Sequence, residues 1–82
     1  MIRQYIEQAM QHAHYEIIEQ EGTPYYGEIP GLKGVIGVGA TLEECRSDLE
    51  EALDGWLVLG LQLGHDIPEM DGIQLGSLSI PA

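Results

Sequence analysis

The sequence predicts an α+β domain: a two-layer sandwich in the order α-β-β-β-α-β, with a three-stranded antiparallel meander, a final strand and a long helix packed on one sheet face. Three observations carry this expectation. Two short strand-like runs, residues 25–29 and 34–39, flank a Pro30-Gly31 turn. Thr41 followed by Glu44 fits a capping box, in which hydroxyl and carboxylate each satisfy a backbone N–H left free at a helix start. Gly64 then supplies a residue able to take positive φ where that helix must end, and Pro68 prevents its continuation.

Residues 2–13 open the chain with Ile2, Tyr5, Ile6, Ala9, Met10 and Ala13, the spacing of an amphipathic helix that docks on the domain or self-associates. His12 and His14 follow, but no third ligand of matching spacing accompanies them, so no metal site is expected. Residues 14–20 read as a first strand around Tyr15, Ile17 and Ile18, and Glu21-Gly22-Thr23-Pro24 as a turn. In the second strand, alternation places Tyr25, Gly27 and Ile29 on one face and Tyr26 and Glu28 on the other. In the third, Ile36 and Val38 share a face opposite Val35. Gly37 and Gly39 form a G-x-G, but Leu42 stands where a dinucleotide loop needs glycine, and no Gly-Lys-Ser/Thr is present. A nucleotide site is rejected. These glycines instead suit bends or close backbone approach.

The long helix carries an apolar stripe through Leu42, Cys45, Leu49, Ala52, Leu53, Trp56, Leu57, Gly60 and Leu63, which should cover the sheet. Glu43, Ser47, Glu50, Glu51 and Asp54 face outward in its first half. Beyond them, Leu57, Val58, Leu59 and Leu61 spread apolar surface nearly all round, so this half needs a second cover. The N-terminal helix and a second subunit are both expected to provide it, those four leucine and valine positions mediating a homo-dimer or tetramer. Residues 65–72 read as a loop. Residues 73–80 read as a last strand, parallel to its partner through a right-handed crossover.

Composition bounds the function. Eighty-two residues make one domain over 1–82, with a helix at 1–13 and an αβ core at 14–80. A chain this short buries only about 60% of its unfolded surface, which favours oligomerisation. Fourteen acids against three basic residues, Arg3, Lys33 and Arg46, give a formal charge of −11. Nucleic-acid affinity comes mainly from cations neutralising phosphates, so direct nucleic-acid binding is not expected. A basic protein partner is the natural complement. The one cysteine, Cys45, cannot form an internal disulfide and falls on the apolar helix stripe, as a buried core residue would. The N-terminus lacks the apolar core of a secretory signal, and the most apolar run, residues 56–61, is far short of a membrane span. A soluble cytoplasmic protein is expected. The helix carboxylates lie along an outward face rather than converging in a cleft, so neither catalysis nor a cofactor is expected.

An ordered set of features resembles the HicB antitoxin family: the aromatic run ending at Pro30, the glycine-bearing turn to Gly34, Gly39-x-Thr41-x-Glu43-Glu44, Glu51-Ala52, Trp56, and Ile67-Pro68. The resemblance spans roughly residues 15–70. Two departures stand out: Ile29-Pro30-Gly31 where many members have Asp-Leu-Pro-Gly, and the helix at residues 2–13. No C-terminal DNA-binding module is expected, so operator binding is not carried over. The resemblance implies a degenerate RNase H-like fold without ribonuclease activity. It also implies an antitoxin role in a type II toxin–antitoxin system. There the acidic domain masks a small basic HicA-type ribonuclease that cleaves mRNA. Facing and charge nominate Tyr26, Glu28, Glu43, Glu44 and Glu51 as toxin contacts. The rival reading is an orphan oligomeric module without a toxin.

Overall fold

Alternating side chains in three four-residue strands define a sheet with two unlike faces. The computed structural model describes residues 2–19 and 21–73. Its elements are α1 (Ile2–Gln11), β1 (His14–Ile17), β2 (Tyr25–Glu28), β3 (Ile36–Gly39) and α2 (Leu42–Gln62). The strands pair antiparallel in the order β1-β2-β3, with Tyr15 opposite Gly27 and Gly27 opposite Gly37. Tyr15, Gly27, Gly37 and Gly39 therefore share one face, and Tyr26, Glu28, Ile36 and Val38 the other. An α+β domain with a three-stranded antiparallel meander and two helices is what the residues predicted. The expected last strand, residues 73–80, lies beyond the described residues apart from Ile73.

The strands are shorter than the expected 14–20, 25–29 and 34–39, and turn chemistry explains the third. The Leu32 N–H donates to the Ile29 carbonyl at 3.1 Å, and the Val35 N–H to the Leu32 carbonyl at 3.3 Å. Gly31 and Gly34 sit third in these two consecutive turns with φ of 90° and 89°, where a side chain would be strained. Two turns in series bring every third residue inward, and Ile29, Leu32 and Val35 are all buried. Gly34 and Val35 thus belong to the connection, and β3 starts at Ile36.

Helix α2 lies directly on strand backbone. A Cβ at Gly37 would sit 2.5 Å from the Leu49 nitrogen, and one at Gly39 would collide with the Cys45 nitrogen. Only a missing side chain allows this approach. α2 packs chiefly on β3 and secondarily on β2. Cys45, Leu49, Leu53 and Leu57 point inward with no exposed surface. Leu42 and Leu63, expected on the same stripe, are instead 48% and 60% exposed. A 21-residue helix runs about 31 Å, while a four-residue strand spans about 13 Å, so the helix ends overhang the sheet.

Both ends of α2 are closed as their residues require. The Glu44 N–H donates to Thr41 Oγ1 at 3.1 Å, and Glu44 Oε1 accepts the Ala40 N–H at 3.3 Å, one residue before the cap. At the other end Gly64 takes φ of 74°. The His65 N–H reaches the Gly60 carbonyl at 2.8 Å and the Gly64 N–H the Leu61 carbonyl at 3.2 Å, the paired bonds of a Schellman motif.

α1 runs along the first half of α2, where Arg3 reaches Glu50, and the segment after Gly64 folds back on the second half, where Ile67 meets Gly60. Tyr5, Ile6 and Ala9 share one buried cluster with Leu49, Leu53, Leu57, Ile67 and Met70. The Tyr5 hydroxyl donates to the Pro68 carbonyl at 2.6 Å. Met70 and Ile73 exchange backbone hydrogen bonds of 3.0 and 2.9 Å around Asp71 and Gly72, whose φ values are 49° and 86°. Positive φ at both central residues is the signature of a type I′ hairpin turn, for which Asp-Gly is a preferred pair. Among the described residues, no helix is long and apolar enough to cross a membrane.

The close approach makes a testable contrast. Gly37→Ala should destabilise by roughly 1–3 kcal/mol through overpacking against the α2 backbone. Gly55→Ala, on the exposed side of the same helix with nothing within 4 Å, should stabilise by up to about 1 kcal/mol. Urea unfolding of the two variants checks both signs.

Candidate functional site

The outward sheet face is a surface that no described helix covers. Cross-strand register lays two rows across it, His14–Glu28–Ile36 and Glu16–Tyr26–Val38. No described element packs on this face, because α2 occupies the other one. Ile36 and Val38 remain 43% and 37% exposed. The Tyr26 hydroxyl donates to Glu28 Oε1 at 3.2 Å, which fixes the two side chains relative to one another. Partial burial of the ring, followed by the Glu28 hydrogen bond and charge, raises the Tyr26 phenol above its ordinary value. It stays a neutral hydrogen-bonding group at physiological pH.

The five nominated contact residues do not form one patch. Tyr26 and Glu28 lie on the outward sheet face, whereas Glu43, Glu44 and Glu51 lie on α2, across the sheet. Within the helix they diverge again. Glu44 is engaged in the N-terminal cap, Glu43 lines a groove with Met10, Tyr15 and Arg46, and Glu51 lines another with Ile2, Arg3 and Ile6. Arg3 bridges the helices there, 3.2 Å from Glu50 and 3.6 Å from Glu7. A helix standing on one face of a sheet separates outward residues of the two layers, however similar their charge.

The nominated oligomerisation residues also divide. Leu57 has no exposed surface and belongs to the core of its own chain, so it is not available to a second subunit. Leu61 is half-buried against that core. Val58 and Leu59 are exposed at 43% and 56%, and Leu63 joins them at 60%. Leu53 and Leu57 turn into the buried cluster that holds Tyr5, Ile6, Ala9, Ile67 and Met70, whereas Val58, Leu59 and Leu63 lie off that stripe.

Groups with chemical potential are engaged in structure. Cys45 is buried, its Sγ is 3.5 Å from the Gly37 carbonyl, and burial followed by the nearby Asp48 charge pushes its thiol upward. A raised thiol is a poor nucleophile. His12 and His14 do not converge: His12 Nε2 is 2.8 Å from Asp71 Oδ2, while His14 lies on the outward sheet face. Among the described residues, no three His, Cys, Asp or Glu side chains are grouped to hold a metal ion.

Two features escaped sequence reasoning. Asp48 Oδ2 accepts the Val38 N–H at 3.0 Å, closing part of the free edge of β3, a role that a helix acid does not reveal from sequence. The Asp71 carboxylate collects His12 and the Gln8 amide, each at 2.8 Å, and so fastens the hairpin turn to α1. Asp71-Gly72 between Met70 and Ile73 was a legible turn signal; its fastening to Gln8 and His12, 63 and 59 residues away, was not.

A model of the UPF0150-like family matches residues 4–68. Among solved structures, the crystal structure of TTHA0281 from Thermus thermophilus is 40% identical, with 99% of this chain and 95% of that chain covered and a TM-score of 0.87. No curated protein matches the chain.

The fastened turn has a pH signature. Chiefly the His12 hydrogen bond, opposed by partial desolvation and aided by the His12 charge and Gln8, holds the Asp71 carboxyl below its ordinary value. A carboxyl depressed by folding stabilises above its unfolded pKa, and that contribution is lost as pH falls through the lower folded value. Asp71→Asn keeps a residue tolerant of positive φ and removes this titration. Between about pH 5 and pH 3 the wild type should therefore lose more of its urea midpoint than the variant. Identical acid limbs would show that the clasp does not form.

Proposed function

The chain belongs to the UPF0150-like family, and we propose that it acts as a HicB-like antitoxin that masks a small basic HicA-type ribonuclease. The fold in this reading is a two-layer, RNase H-like sandwich completed by a final strand within residues 73–80. The domain performs no catalysis. It acts by occlusion, covering the partner's cationic RNA surface and excluding substrate.

The observation that carries the reading is charge. A formal −11 on 82 residues accelerates encounter with a cationic protein and rejects nucleic acid. The ordered motifs shared with HicB proteins support it, and so does a sheet face that no described element covers. Cys45 is buried and His12 is paired with Asp71, which fits a domain that acts by binding. The second reading, an oligomeric module without a toxin, draws on the exposed Val58, Leu59 and Leu63.

Co-expression with the product of the adjacent basic reading frame tests the reading. The two should co-purify at low salt, dissociate as salt rises, and the complex should lack the RNA cleavage of the free partner. A partner whose cleavage continues undiminished in the presence of saturating acidic protein would overturn masking.

A further inference from the structure

We propose that the docking surface for the cationic partner is the outward sheet face, centred on Tyr26, Ile36 and Val38 and flanked by Glu16 and Glu28, rather than the acidic surface of α2. This rests on the masking reading above and adds where, and by what chemistry, contact is made.

The face has the composition of an interface. Antiparallel sheets that face water on one side ordinarily turn polar residues outward. Here β3 turns Ile36 and Val38 outward, and the neighbouring strand adds a tyrosine. The acids follow towards β1, where Glu28 pairs across with His14, and Glu16 pairs with Tyr26. The result is an apolar aromatic centre with carboxylates along one side, the arrangement of a desolvated contact with a polar rim. Tyr26 is suited to anchor it: tyrosine is enriched among dominant interface residues, and its hydrogen bond to Glu28 orders the ring before binding.

Charge selects the occupant. Neither Lys nor Arg stands among the six outward strand residues, while Lys33 lies at the rim in the turn before β3. A second copy would bring another −11 to the same place, and phosphates would be repelled. A protein with an apolar patch bordered by lysine or arginine fits both halves of the face. At β3 the partner addresses the face rather than the strand edge, because Asp48 already takes the Val38 N–H that a strand added there would need. The α2 acids make a poorer surface: Glu44 is committed to the cap, and Arg3 neutralises part of the α1–α2 groove.

The test compares full-length variants against the adjacent reading frame's basic product by titration calorimetry, with thermal melts of each free variant. Tyr26→Ala and Val38→Lys should each weaken binding at least about tenfold with unchanged melting, whereas Glu43→Gln and Glu51→Gln should change it by no more than about threefold. Helix substitutions that weaken binding more than the sheet substitutions would overturn the docking face and leave masking intact. So would a marked fall in melting temperature for both sheet variants, which would mean the chain covers this face itself. Conversion of an oligomer to monomer by Val38→Lys would hand the face to a second copy and likewise overturn the proposal. Absence of any complex with the wild type would remove the masking reading, and this inference with it.

Discussion

The contact on which the structure depends is that between the α2 backbone and the backbone of β3. It exists because Gly37 and Gly39 present no side chain to the helix, so Leu49 and Cys45 sit almost against the strand. Helix and sheet layers otherwise need side chains between them. Removing those side chains brings α2 close enough to bury Cys45, Leu49, Leu53 and Leu57 completely, in a domain with little surface to bury. It also commits the sheet to one helix-bearing face. Everything on the opposite face of β2 and β3 is turned away from the core.

One small layer contact does not cover a 21-residue helix. α1 and the segment from His65 to Ile73 supply the remainder, through buried Tyr5, Ile6, Ala9, Ile67 and Met70. Polar contacts locate these pieces: Tyr5 to the Pro68 carbonyl, and Gln8 and His12 to Asp71. The Asp71 contacts are exposed, so they orient the turn more than they stabilise it. The apolar contacts carry the energy. The same arrangement leaves Val58, Leu59 and Leu63 on the uncovered side.

Acidity and the bare face belong to one functional account. In the proposed masking role, like charges along α2 and the sheet would draw a cationic protein in. Short-range recognition is a separate matter, governed by desolvated apolar area and a few oriented polar groups. On the outward face both are present side by side, and Asp48 occupies the Val38 N–H that a strand added at β3 would use.

Much of the fold was legible because local chemistry dictates it. Thr41 and Glu44 start α2, Gly64 ends it, and strand parity separates Tyr26 and Glu28 from Gly27 whatever surrounds them. Net charge, too, is a property of composition alone. The candidate site was only half legible. Tyr26 and Glu28 could be assigned to an outward face, but that Glu43, Glu44 and Glu51 stand on the other side of the molecule depends on which sheet face α2 covers. That Leu57 is core while Leu59 is surface depends on how the other elements close over the helix. Parity and periodicity say which residues point together within one element. Only the packing of elements decides which of those directions ends in protein and which in solvent.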